Sequence, residues 1–220
     1  MSTDKLCEGA NRISIALIIK VTGFIASLLL GIYAVSLLSP LNLEANPLRL
    51  MSGVYSPRII PLVLASVAVS MAAMLILAKG FSRLRMYKTK YSIGLYGSIL
   101  VLVGYVITLV LILLEPIAIS YNLIVGLVFV LSLGLAGLIL LVSGVVMIII
   151  SLWTLGGEPK GSLVRVGVVL WIASLALLVI SILYCRSFTI ASFTLALSGS
   201  IVIAIGARRI AVTRKVGLNL

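Results

Sequence analysis

Long apolar stretches alternate with short polar links along this chain. Six of the stretches reach the length of about 20 residues that an α-helix needs to cross a hydrocarbon core roughly 30 Å thick. They predict transmembrane helices at residues 19–38, 59–78, 92–114, 122–153, 163–184 and 187–207. We therefore expect an all-α, polytopic membrane helix bundle over residues 19–207, preceded by a cytoplasmic segment, 1–18, and followed by a basic cytoplasmic tail, 208–220.

The composition favours a membrane bundle over a soluble fold. Of the 220 residues, 62% are hydrophobic and 10% are charged, which is too little polar surface to cover a water-soluble globule of this size. A soluble bundle of unusually apolar helices is the alternative. Its outward faces would need charges, and residues 93–114 and 123–153 carry none.

Basic residues are distributed unevenly between the two sides that six crossings create. One side receives only Arg49, Arg58 and Arg186. The other receives the remaining 14 of the 17 Lys and Arg residues, with Lys20 at the opening of the first helix: Lys5, Arg12, Lys20, Lys79, Arg83, Arg85, Lys88, Lys90, Lys160, Arg165, Arg208, Arg209, Arg214 and Lys215. Because Lys and Arg in short loops are retained in the cytoplasm, both termini are predicted to be cytoplasmic.

The same count decides how often the fourth stretch crosses. Its 32 residues would form a helix about 48 Å long, well beyond one hydrocarbon core. Two crossings would leave 9 basic residues on one side and 8 on the other. We therefore expect one crossing, tilted or bent, with Gly134 and Gly137 as the place for a bend.

The net charge of +12 suggests two kinds of partner. Clustered cations with interleaved aromatic residues in the 79–90 link are compatible with nucleic acid. A basic link between two membrane helices more simply sets topology and contacts anionic head groups. We therefore expect membrane lipid rather than nucleic acid as the partner, with head groups at Lys79, Arg83, Arg85, Lys88 and Lys90.

Few residues offer chemistry at membrane depth. There is no histidine, and the acids lie outside the apolar stretches or at their edges: Asp4, Glu8, Glu44, Glu115 and Glu158. Proton relays, ion-coupled carriers and metal sites need ionisable or ligating groups within the membrane, so we expect no catalytic residue, cofactor or metal. Glu115 directly precedes Pro116 and is predicted to mark the end of the third helix.

Small residues recur at helical spacing on three of the predicted helices. In lipid, such stripes let backbones approach closely, and we expect helix packing at Gly23, Ser27, Gly31, Gly126, Gly137, Gly144, Ser192, Ala196, Ser200 and Ala204. A narrow substrate path is the alternative. Any small-molecule site is predicted near the polar-tipped side chains at mid-membrane, which are Tyr33, Tyr105, Thr108 and Trp171.

A short segment carries a family resemblance. The chain runs from Gly80-Phe81 through the basic link into Tyr91-Ser92-Ile93-Gly94-Leu95-Tyr96-Gly97, with Gly104 further along the same helix. Over about 25 residues this resembles an archaeal family of multi-spanning membrane proteins, domain of unknown function 973. The resemblance implies an archaeal membrane location and no catalytic or binding residues.

Three functional hypotheses follow from the sequence. The first is an accessory or scaffold component of a membrane complex with a membrane-protein partner, acting through helix packing. The alternative is a carrier or channel for a small neutral solute that uses hydroxyl and backbone groups. An intramembrane enzyme is disfavoured because no acid, histidine or motif supports it.

Overall fold

The computed structural model describes residues 2–38, 60–121, 123–183 and 188–216. Within these ranges six α-helices are each long and apolar enough to cross a membrane. The chain is therefore an all-α, multi-pass membrane helix bundle, as predicted. The helices are α1 Ser2–Leu38, α2 Ile60–Tyr87, α3 Ser92–Tyr121, α4 Leu123–Leu155, α5 Ser162–Leu183 and α6 Phe188–Val216, with a turn of 3₁₀ helix, Thr89–Tyr91, before α3.

The helices follow one another around the bundle in chain order. Each helix packs against its successor, and α6 returns to pack against α1. The contacts within the pairs α1–α2, α3–α4 and α5–α6 are the most extensive, whereas α4 and α5 touch only slightly. The bundle is therefore three antiparallel helix pairs arranged in a ring.

Three helices extend well beyond their predicted ends on one side of the bundle. There α1 begins at Ser2, α2 continues to Tyr87 and α6 continues to Val216. These extensions carry charges between buried apolar residues such as Leu6, Leu84 and Ile210, so a search for unbroken apolar stretches misses them. We call this side, with the α2–α3 and α4–α5 links, the basic end. Residues 2–18 belong to α1 rather than to a separate segment.

The two doubtful helix assignments have different outcomes. The predicted end of the third helix was wrong, because α3 continues through Pro116 to Tyr121. A proline removes one backbone hydrogen bond, but membrane helices tolerate this because their surroundings satisfy the freed carbonyl. The fourth stretch forms one uninterrupted helix through Gly134 and Gly137, which confirms the single crossing.

Reciprocal glycine contacts hold each antiparallel pair together. A Cβ atom on Gly97 would lie 2.7 Å from the carbonyl oxygen of Gly144, and one on Gly144 would lie 2.6 Å from that of Gly97. The same reciprocity joins Gly167 of α5 to Gly199 of α6, at 2.7 and 2.8 Å. Such distances leave no room for a side chain, so the backbones themselves are in contact.

We expect Gly144→Ala to weaken the α3–α4 contact and Gly134→Ala, on the same helix, to be tolerated. At Gly134 the nearest atom to an added Cβ is Leu111 Cδ1 at 3.7 Å, an ordinary contact. Overpacking at Gly144 should cost about 1–3 kcal/mol, whereas helix propensity at Gly134 should contribute about 1 kcal/mol in favour of the variant. Thermal unfolding followed by circular dichroism in detergent checks this. Equal melting temperatures for the two variants would contradict it.

Candidate functional site

A partly open cavity of about 200 Å³ lies between five of the six helices, all except α3, and Leu175 and Phe193 of its wall are exposed. We call it the central cavity. Most of its lining residues belong to the apolar stretches, and most are themselves apolar: Lys20, Val21, Phe24, Met74, Leu77, Val145, Ile148, Trp171, Ser174, Leu175, Phe193, Ala196, Leu197 and Ser200. It therefore lies at membrane depth and contains one ionisable side chain, that of Lys20, among the described residues.

The position of Lys20 follows from the periodicity of α1. Ile13, Ala16 and Leu17 are buried, and residues three, four and seven apart lie on one face of a helix. Lys20 is the next residue on that face of the helix and Phe24 follows it; both are half-buried. The expectation that Lys20 opens the first helix was wrong, because α1 begins at Ser2. The helical spacing of Ile13, Ala16, Leu17 and Lys20 is the sequence signal that indicates this inward stripe of α1. A search for unbroken apolar stretches does not use it.

Among the described residues, the ammonium of Lys20 has an aromatic partner but no acidic one. Its Nζ atom lies 5.0 Å from the centroid of the Trp171 ring, a cation–π arrangement. It makes no hydrogen bond or ion pair with a described residue. An ionisable group within a transmembrane segment marks a functional site by default. The sequence placed Lys20 only with the cytoplasmic basic residues and not among the candidate site residues.

Trp171 is held in place by α6. Its Nε1–H donates to the carbonyl oxygen of Ala196 at 3.1 Å and to Ser200 Oγ at 3.0 Å. The Ser200 hydroxyl in turn donates to the same carbonyl oxygen at 2.8 Å. The edge of the indole is thus occupied by hydrogen bonds, and its face remains for Lys20.

Two further contacts shape the walls of the central cavity. Ser192 Oγ donates to the carbonyl oxygen of Ser174 at 2.8 Å, which adds a second polar bond between α5 and α6. The rings of Phe24 and Phe193 lie 5.4 Å apart at a tilt of 39° and join α1 to α6. These contacts hold the three helices that contribute Lys20, Trp171 and the serines.

The four predicted solute-facing residues lie in different places. Trp171 lines the central cavity. The side chain of Tyr105 on α3 lies near that of Ser70 on α2, and Thr108 donates to the carbonyl oxygen of Gly104 on its own helix. Neither Tyr105 nor Thr108 is among the cavity-lining residues. The side chain of Tyr33 lies outside the described residues.

The predicted small-residue stripes lie against four helices of the bundle. Gly23 lies against Val69 of α2, Gly137 against Ile107 of α3 and Gly144 against Gly97 of α3. Gly126 is buried. On α6, Ser192 and Ser200 bond α5, Ala196 lines the central cavity, and Ala204 is buried beside α1. The side chain of Ser27 and the surroundings of Gly31 lie outside the described residues.

At the basic end, Glu158 and Glu8 are held in ion pairs. Glu158, in the link between α4 and α5, is 7% exposed and accepts hydrogen bonds from Lys88 Nζ at 2.5 Å and the Tyr91 hydroxyl at 3.1 Å. Glu8 accepts from Arg12 at 2.7 Å and Arg83 at 3.2 Å. The first cluster ties the α2–α3 link to the α4–α5 link, and the second ties α1 to α2.

The environment of Glu158 favours its charged form. Burial by itself would raise the pKa of this carboxyl, but the hydrogen bonds from Lys88 and Tyr91, with the charges of Lys88 and Lys90, hold the pKa below its ordinary value. The hydrogen bond to Glu158 raises the pKa of Lys88 above its ordinary value, against the opposing effect of desolvation. The pair therefore stays ionised over the neutral range.

Comparisons with known protein families, with curated proteins and with solved structures find no match. The resemblance to domain of unknown function 973 therefore stays a prediction. Because a fold does not by itself imply a function, the function is inferred from the residues of the site.

We expect Glu158→Gln to lower the melting temperature near neutral pH, because it removes the buried charge that pairs with Lys88. The pKa of Glu158 in the folded protein lies below its ordinary value of 4.5. The charged carboxylate therefore stabilises the folded protein fully above about pH 4.5, and this stabilisation is lost as the pH falls through the pKa of the folded state. Melting curves of both proteins should therefore converge in acid.

Glu8→Gln is the matched control for that substitution. Its carboxylate side chain is 37% exposed, and exposed ion pairs contribute little, about 0–1 kcal/mol. We expect a smaller loss of melting temperature than for Glu158→Gln. A larger loss at Glu8 would show that the α1–α2 ion pairs, rather than the Glu158 cluster, hold the basic end.

Proposed function

We propose that this protein binds a small solute within the membrane, as a carrier, and that the central cavity is its binding site. The observation that supports this is a largely apolar cavity at membrane depth with Lys20 and Trp171 on its wall. Ligand sites are commonly apolar concavities with a few placed polar groups, and helix bundles form them between their helices. Ionisable side chains inside a membrane mark substrate paths.

The volume of the central cavity limits the size of the solute. An engineered apolar cavity of roughly 150 Å³ in another protein accommodates benzene. At about 200 Å³, this cavity fits one aromatic ring, or a branched aliphatic group of similar size, together with a small polar group. Trp171, Phe24 and Phe193 offer apolar surface to such a body.

The cavity changes the order of the functional hypotheses. The sequence put an accessory or scaffold role first because its small-residue stripes favour helix packing and its apolar stretches contain no acid or histidine. Lys20 is a group at membrane depth that could bind a solute, since its side chain points to the inside of the bundle and contacts Trp171. A carrier role is therefore preferred, and the charge of Lys20 makes a strictly neutral solute a poor fit.

For location we propose a cell membrane, with the basic end in the cytoplasm. Moving Lys20 into the cavity reduces the basic residues assigned to that side from 14 to 13, against three on the other, so the orientation predicted by the positive-inside rule is unchanged. Lys79, Arg85 and Lys90 are exposed there and suit contact with anionic head groups.

Filling the cavity should abolish solute binding. We expect Ala196→Phe to occupy the space beside Trp171, whereas Ala191→Phe, on an exposed position of the same helix, should leave binding intact. The probes are benzoate and its uncharged analogue benzamide, titrated calorimetrically into the purified full-length protein in detergent. Uptake of labelled benzoate into proteoliposomes tests transport. Failure of the unmodified protein to bind either probe would refute the proposed site.

Cysteine labelling tests the orientation. In a variant that lacks Cys7 and Cys185, we expect a cysteine at Tyr87 to react with a membrane-impermeant reagent only after the cytoplasmic side is opened. A cysteine at Ala45 should react in intact cells. Labelling of both positions from the same side would overturn the proposed topology.

A further inference from the structure

We propose that the central cavity takes a monoanionic amphiphile, whose head group binds the ammonium of Lys20 and whose apolar body fills the rest of the space. A small aromatic or branched aliphatic carboxylate is the form that fits the volume. This inference rests on the proposed function, and it names the charge and the chemical class of the solute.

Among the acids whose side chains the structure describes, none balances the charge of Lys20. Among acids with described side chains, Glu8 bonds Arg12 and Arg83, and Glu158 bonds Lys88. Neither these nor Asp4 lines the central cavity. A charge removed from water is costly unless it is paired and hydrogen-bonded. An anionic head group supplies the missing pair.

The hydrogen-bond donors of Lys20 are available, whereas those of Trp171 and Ser200 are already used. The indole N–H of Trp171 and the hydroxyl of Ser200 already donate within the α5–α6 wall. An ammonium has three N–H donors, and the contact of Lys20 with Trp171 is made through the ring face. The donors of Lys20 therefore remain for a ligand, and a charge-assisted bond to a carboxylate is stronger than one to a neutral acceptor.

The single charge of Lys20 and the apolar lining of the cavity favour an amphiphile over a simple inorganic anion. One cation balances one negative charge, so a dianion would bring an uncompensated charge into an apolar space. Phe24, Met74, Leu175 and Phe193 also line the cavity, and the Ser200 hydroxyl already donates to the carbonyl oxygen of Ala196, so an inorganic anion has few polar partners there. Burial of an apolar body contributes about 25 cal/mol per Å² of surface. The ligand therefore combines one negative group with an apolar body.

The test compares benzoate with benzamide, which has nearly the same shape but no charge. In calorimetric titration of the full-length protein in detergent, we expect benzoate to bind at least about tenfold more tightly, as for a hydrogen bond to a charged group. Lys20→Met should reduce the affinity for benzoate to that for benzamide. Lys79→Met, at an exposed position on α2, should leave the preference unchanged.

A second measurement does not depend on the folding of Lys20→Met. Reductive methylation followed by mass spectrometry reports how accessible the amine of Lys20 is in the unmodified protein. Benzoate should protect Lys20 several-fold against the reagent, while benzamide at equal concentration should not. Lys20→Arg, which keeps the positive charge, should retain most of the preference for benzoate.

The outcomes separate this inference from the proposed function. Equal affinity for the two probes, or an unchanged preference in Lys20→Met, overturns the anionic head group but leaves the cavity as a solute site. Absence of binding by both probes overturns both. Competition with benzoate by phosphatidylglycerol, but not by phosphatidylcholine, supports the head group at Lys20 and assigns it to a lipid. Absence of such competition assigns it to a soluble acid.

Discussion

Close approach of helix backbones is the constraint on which this bundle depends. Lipid tails are as apolar as leucine, so association in the membrane requires van der Waals contact rather than the hydrophobic effect. The reciprocal pairs Gly97–Gly144 and Gly167–Gly199 provide that contact. Because these contacts leave no free space, they fix α4 against α3 and α5 against α6, and α5 and α6 together form one wall of the central cavity.

The central cavity combines a mostly apolar lining with a positively charged side chain. Its lining is mostly apolar, as a membrane interior requires, yet it contains the ammonium of Lys20, which such surroundings destabilise. The Trp171 face offsets part of that cost, and the bonds from its Nε1–H to α6 keep the ring in position. A site that stabilises a cation only partly supports the proposed binding of an anion.

At the basic end, unlike in the central cavity, ion pairs balance the charges of Glu158 and Glu8. Glu158 and Glu8 each bond cations from other segments, and Leu6, Leu84 and Ile210 are buried among the helix extensions. The length of the apolar stretches identified the six crossings. It did not identify these extensions, because charged residues interrupt the apolar stretches there. Pro116 failed as a helix stop for a related reason: a rule derived from soluble helices does not hold where a membrane bundle satisfies the freed backbone.

The sequence by itself determined the number of crossings and the all-α fold, because the length and apolarity of each stretch are local properties that a bilayer tests directly. It also contained Trp171 as a candidate and the inward stripe of α1. Only the tertiary structure decided that Lys20 meets Trp171, whereas Tyr105 and Thr108 do not reach the same cavity. Whether two side chains on different helices meet depends on how closely their backbones approach and on helix rotation, and no single stretch of residues carries that information.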